Sequence, residues 1–194
     1  MRLDQQSVFG GPFGTASDTR KFRSDRATLR ERSDIGCVLL TTVGDSSESV
    51  ASACGAFGLE LPMAPGAVTV AARSTALWLS PKSWLIHCDL NEEADLLERI
   101  TAAFPDKRAH GVLFTDAVCW MELSGPAALD LLTEGGFVSL ERDGLPVGHV
   151  KRTLIAQVPV VVFHQAPDTW LLAVERSRAI YFVQWLSAAA EAGE

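Results

Sequence analysis

One order of elements occurs twice along this chain, and that duplication limits the fold more than any single motif. The first pass is a strand at 35–43, a helix at 46–57, strands at 67–72, 75–80 and 84–88, and a helix at 92–104. The second is a strand at 118–123, a helix from 126 to a stop near Gly135, strands at 150–156, 158–164 and 170–174, and a helix from 177 to about 190. The offset is roughly 85 residues throughout, far longer than a solenoid period. The segments ALWLSPKSWLIHCDL and VVVFHQAPDTWLLAV share a strand, a Pro-containing turn and a Trp-Leu entry into a second strand. The predicted class is α+β: two similar halves, each a mainly antiparallel sheet backed by helices on one face.

The helices follow from spacing. Val50, Ala53, Cys54 and Phe57 recur at i, i+3, i+4 and i+7, and Leu96, Leu97, Ile100 and Phe104 repeat the stripe. Asn91 and Ser177 stand where caps are expected. In DAVCWMELSGPAALDLLTEGG, Ser124 offers a cap oxygen, Pro126 suits the first helical turn, and Gly135 suits a left-handed stop. The expected domain division is an extended N-terminal arm at 1–33 and one α+β domain at 34–194, with halves at about 35–110 and 111–194.

The arm is polar, Gly-rich early and poor in aliphatics, so it cannot fold alone. It is either a disordered tail or a segment that orders on a subunit, with Val8, Phe9, Phe13 and Phe22 as separated anchors. It carries a charge of +3 on a chain of net charge −7, leaving −10 on the body. An acidic body repels nucleic acid and anionic membranes at long range. A basic arm on such a body suggests protein contact, either with its own body or with a partner.

Catalytic signatures are missing from the sequence. No Gly-rich dinucleotide loop opens a helix after a strand, and no Walker motif, nucleophile elbow or zinc-helix motif is present. Cys37, Cys54, Cys88 and Cys119 show no paired spacing and are expected to be reduced core thiols. No apolar run approaches the ~20 residues that span a bilayer, and no signal-peptide segment is seen, so a cytoplasmic protein is expected. The candidate contact residues are Phe9, Phe13, Phe22, Arg23 and Arg26 in the arm, Lys151 and Arg152 in the basic HVKR cluster, and Trp185 off the best apolar row of the last helix. No catalytic, cofactor-binding or metal-binding residue is assigned. Asp116 and Glu122 are the acids conceivable for a pterin.

The stretches LELPMAPGAV, LWLSPKSWLI, MELSGPAALDLL and LLAVERSRAIYFVQWLSAAAEAG carry a family resemblance. From about residue 56 to the end, the chain resembles the gamma subunits of heterotetrameric sarcosine oxidases. The resemblance implies a fold like the N-terminal region of aminomethyltransferase, the glycine-cleavage T-protein. It also implies a noncatalytic subunit, bound to alpha, beta and delta chains, in a complex that demethylates sarcosine with FAD, FMN, NAD and tetrahydrofolate. The alternatives are the equivalent subunit of a related complex such as N-methylglutamate dehydrogenase, or a stand-alone folate-binding protein.

Overall fold

Before residue 35, where an arm is expected, there are two strands. The computed structural model describes residues 7–10, 20–23, 26–136 and 144–192, with the backbone alone for 20–23. β1 (Arg20–Arg23) and β2 (Thr28–Glu31) pair with each other, and β2 enters a sheet of the body. Leu29 is fully buried in a core cluster, and partly buried Val8 and Phe9 pack against the same cluster. The division therefore differs from the sequence expectation. One compact unit runs from Ile35 to Asp116; the other joins the segment up to Asp34 with the chain from Ala117 onward.

The unit Ile35–Asp116 holds β3 (Ile35–Thr42), α1 (Ser47–Gly55), β4 (Val68–Val70), β5 (Ser74–Ser80), β6 (Ser83–Asp89), α2 (Glu93–Ala103) and β7 (Ala109–Leu113). Its strands form a five-stranded sheet in the order β4-β5-β6-β3-β7, antiparallel throughout. β3 is apolar at nearly every position, as suits a strand buried on both faces. Val50 and Cys54 of α1 and Leu96 and Ile100 of α2 join Val38, Leu40, Trp84 and Ile86 in its core. Each such side chain contributes about 1.5–3 kcal/mol on burial.

The other unit adds β8 (Val118–Ser124), α3 (Ala128–Glu134), β9 (Val150–Ile155), β10 (Val158–Ala166), β11 (Thr169–Glu175) and α4 (Ala179–Ala192). Its sheet has the order β1-β2-β8-β11-β10-β9, again antiparallel. The core gathers Leu29, Met121, Leu123, Trp170 and Leu172 from the strands with Leu131, Leu132, Phe182 and Leu186 from the helices.

Leaving out β1, the two sheets have the same topology. β2-β8-β11-β10-β9 corresponds to β7-β3-β6-β5-β4. The match extends to single bonds: the Arg32 amide donates to the Trp120 carbonyl at 2.8 Å, and the Phe114 amide to the Cys37 carbonyl at 2.9 Å. β2 pairs with β8 while the chain runs on from it into β3; β7 pairs with β3 while the chain runs on into β8. Each repeat thus begins one strand earlier than the sequence pattern suggests, and that first strand belongs to the sheet of the other repeat. This is why residues 111–116 sit with the first half.

Helix ends depart from expectation. Ser124 is the last residue of β8, opposite Thr28 and Thr169, and α3 starts at Ala128 without a side-chain cap. Between them Gly125 has φ +117°, and a Cβ there would overlap the Arg26 carbonyl. Asn91 and Ser177 lie inside short 3-10 turns that lead into α2 and α4, so neither caps. Gly135 ends α3 at φ −103°, outside the left-handed region. Its lack of a side chain serves packing, because a Cβ would strike the ring of Trp185.

Candidate functional site

The candidate contact residues whose side chains are described do not gather on one surface. Phe9 is half-buried on the core of its own unit, where the Phe9 amide donates to Ser7 Oγ at 3.0 Å and Ser7 Oγ in turn donates to the buried carboxylate of Glu31. Phe22 and Arg23 lie on β1, opposite Leu29 and Thr28. Phe13 lies outside the described residues. Arg26 is exposed and stands 3.7 Å from Asp130. A pair this exposed contributes little.

Lys151 and Arg152 are neighbours on an edge strand, so their side chains leave opposite faces of the sheet. Lys151 Nζ donates to the Gly144 carbonyl at 3.1 Å, whereas Arg152 is exposed. HVKR is therefore a cluster in sequence and not one patch in space. Trp185 is half-buried, packed over Gly135 with its ring centroid 6.3 Å from that of Phe182. The exposed large side chains of α4 are instead Ile180 and Tyr181, at 51% and 55%. Spacing places Ile180 on a row with Val183 and Ser187, yet its side chain is exposed.

Of the two acids conceivable for a pterin, Glu122 is already engaged. Arg30 Nη2 stands 2.9 Å from Glu122 Oε1, and Arg32 Nη1 donates to Oε2 at 2.9 Å. Arg32 also makes a two-pronged contact with Asp34, at 2.8 and 2.7 Å. That fork lowers the Asp34 pKa and raises that of Arg32. With both oxygens of Glu122 held by guanidinium groups, it is a structural clamp between β2 and β8. Asp116 lies exposed in the short turn before β8.

Nucleophilic chemistry has little to work with. All four cysteines are buried thiols. Burial pushes Cys54 up to about 12; it does the same for Cys88, with help from the nearby Glu93 charge. A thiol so raised carries almost no thiolate at neutral pH. Among the described residues no group of three His, Cys, Asp or Glu could hold a metal. A cleft lined by Arg73, Ser74, Cys88, Glu92, Asp95, Leu96 and Arg99 has about 20 Å³, room for one water, and fits neither a flavin nor a pterin. No helix among the described residues is long and apolar enough to cross a membrane.

The model of the "Sarcosine oxidase, gamma subunit family" matches residues 43–192. The sarcosine oxidase gamma subunit of Corynebacterium sp. (strain U-96) is 27% identical over 173 residues, spanning 88% of this chain and 83% of that one. The gamma subunit of Corynebacterium sp. (strain P-1) is 28% identical over 141 residues, spanning 72% and 68%. Among solved structures, a chain of the heterotetrameric sarcosine oxidase from Corynebacterium sp. U-96, in complex with pyrrole 2-carboxylate, superposes with a TM-score of 0.76 at 24% identity, over 86% of this chain and 85% of that one. The glycine cleavage system aminomethyltransferase T from Bartonella henselae follows at TM-score 0.61 and 11% identity, over 83% of this chain and 45% of the enzyme. The α+β fold expected from the sequence, and its likeness to the T-protein, are thereby established.

Proposed function

We propose a function from one premise: the chain belongs to the sarcosine oxidase gamma subunit family. It serves as a structural and assembly subunit of a heterotetrameric, flavin-dependent sarcosine oxidase, beside alpha, beta and delta chains. The complex oxidatively demethylates sarcosine to glycine in the cytoplasm, using FAD, FMN and NAD, and passes the one-carbon unit to tetrahydrofolate. This chain binds its neighbours and performs no step of the reaction.

The observation that carries this reading is the family match across 43–192, which spans both units. Two features of the chain agree with it. Glu122 is engaged by two arginines, and the Cys54 and Cys88 thiols are raised by burial. Large apolar side chains, including Tyr181, Ile180, Val112 and Leu113, remain about half exposed, and such side chains suit contact with other subunits.

Co-expression tests it. The chain, tagged, is produced with the three other subunits of a sarcosine oxidase and purified. Recovery of a flavin-bearing complex that oxidises sarcosine, lost when this chain is omitted, is the expected result. A stable lone monomer that brings down no flavoprotein would defeat the reading. Faster turnover of N-methylglutamate than of sarcosine by the recovered complex would reassign the substrate to the related dehydrogenase type.

A further inference from the structure

Each sheet ends in two outer strands, and three of these four carry a feature that discourages pairing with another chain. β1 is four residues long, three of them Lys or Arg. β9 carries Lys151 and Arg152. β4 has only three residues. Short length and charge are ordinary protections for a sheet edge. β7, with the sequence AHGVL, has five residues and neither an acid, a Lys or Arg, nor a proline. Its last two residues, Val112 and Leu113, are 49% and 47% exposed.

The open hydrogen-bonding groups of β7 can be named. The Phe114 amide donates to the Cys37 carbonyl, and the Arg108 carbonyl accepts from the Val43 amide. An antiparallel ladder alternates with period two, so the N–H and C=O of Ala109, Gly111 and Leu113 point away from β3. Among the described residues no strand pairs on that side.

The other sheet shows how the matching edge is used. β2 stands to β8 as β7 stands to β3, and the outer side of β2 is covered by the antiparallel β1. We propose that the outer edge of β7 receives one extended strand from another subunit of the oxidase complex, filling the place that β1 fills in the six-stranded sheet. Backbone bonds to Ala109, Gly111 and Leu113 provide the attachment, and apolar side chains at alternate positions of the incoming strand cover Val112 on one face and Leu113 on the other. The identity of this occupant rests on the subunit assignment above.

Hydrogen–deuterium exchange over 108–114, in the isolated chain and in the reconstituted complex, is the test. Exchange of the Ala109, Gly111 and Leu113 amides slows by at least about 100-fold on assembly, while the Phe114 amide is protected in both states. Leu113→Pro removes one outward N–H and leaves the Phe114 bond in place, a substitution an edge strand tolerates. It weakens assembly at least about tenfold with an unchanged melt of the isolated chain. Leu113→Ala, which keeps the amide and loses only the half-exposed side chain, weakens it less than the Pro variant does. If the Pro variant misfolds, the exchange result on the unmodified complex decides alone. A complex that forms with β7 unprotected overturns the strand addition and leaves the subunit reading standing. Failure of any complex to form overturns both. Protection in the isolated chain that rises with its concentration names a second copy as the occupant and overturns the proposal.

Discussion

The two units solve the same topology with different chemistry at matching positions. In the unit Ile35–Asp116, Gly36 lies opposite Cys88 on β6, and a Cβ on it would come within 2.9 Å of the Glu93 side chain at the start of α2. In the other unit the corresponding pair is Cys119, opposite Val174 on β11, with Ala179 at the start of α4. A small strand residue with a large helix residue is exchanged for the reverse. Trp84 and Trp170 match too, but the Trp84 indole donates to the Pro62 carbonyl at 2.7 Å. The Trp170 indole stacks on His164, with centroids 3.7 Å apart, and its N–H finds no acceptor among the described residues. At the bond that follows β2 or β7, one unit has Arg32 and the other Phe114. The comparison teaches that strand order and a central buried Trp define each unit, whereas volume and polar pairing are settled locally.

The harshest way to break the correspondence is to remove a first strand. Deleting residues 1–33 removes β1 and β2, takes Ala27 and Leu29 out of the core, and bares the outer edge of β8. A loss of at least about 5 kcal/mol is expected, comparable with the whole stability of a small domain. Denaturant unfolding would show the unit built on β8 losing its cooperative transition. An unchanged midpoint would mean that these strands are an appendage, and that the repeat does begin at 35.

The complementary sizes around Gly36 give the next effect. Gly36→Ala pushes a methyl against Glu93 and the Leu90 backbone and is expected to cost about 1–3 kcal/mol. In a Glu93→Ala background the cost of the same change falls only in part, since the carboxylate contact is gone while the Cβ of residue 93 and the Leu90 backbone stay in place. A double-mutant cycle by urea titration measures this coupling. Additive costs would show that the Cβ of residue 93 and the Leu90 backbone, and not the Glu93 carboxylate, set the limit.

Much of this architecture could be read from the sequence, and the failures have physical causes. The duplicated strand–helix order survives because β3, β6, β8 and β11 are strongly apolar and α2 and α4 carry helical stripes. β2 escaped notice because TLRE alternates only once and is flanked by charges; its burial comes from pairing with β8, a contact nearly a hundred residues away in sequence. Local signals misled where tertiary packing overrode them. Gly135 resembles a helix stop, yet its glycine is required by the Trp185 ring. Trp185 reads as a surface anchor for the same reason: the glycine that receives it lies fifty positions earlier. The clamp on Glu122 was invisible because Arg30 and Arg32 meet it only when β2 and β8 pair.

The tryptophan contrast predicts a smaller asymmetry. Phe at either position loses a similar volume. Trp84→Phe also leaves the Pro62 carbonyl without its donor, while Trp170→Phe removes an N–H that has no acceptor among the described residues. Trp84→Phe should therefore be the more damaging by about 1 kcal/mol. Thermal melts of the two variants compare them directly, and equal losses would remove the distinction drawn between the two indoles.

The contrast between Arg32 and Phe114 yields the smallest effect and the one with a pH signature. The Arg32 fork holds the Asp34 pKa below its ordinary value, chiefly through the hydrogen bond. A carboxylate depressed on folding adds stability above its unfolded pKa, near 3.9, and that contribution is lost as pH falls through the folded value. Asp34 is 44% exposed, so solvent screening keeps the contribution under about 1 kcal/mol. Asp34→Asn should lower stability by that amount at pH 7 and by progressively less as the solution is acidified below pH ~4. Phe114 carries no charge, so Phe114→Leu should give a stability loss of constant size across the same range. If the Asp34→Asn penalty also stays constant from neutral to acid, the fork contributes by shape alone, and the two positions differ in side chain but not in the kind of work they do.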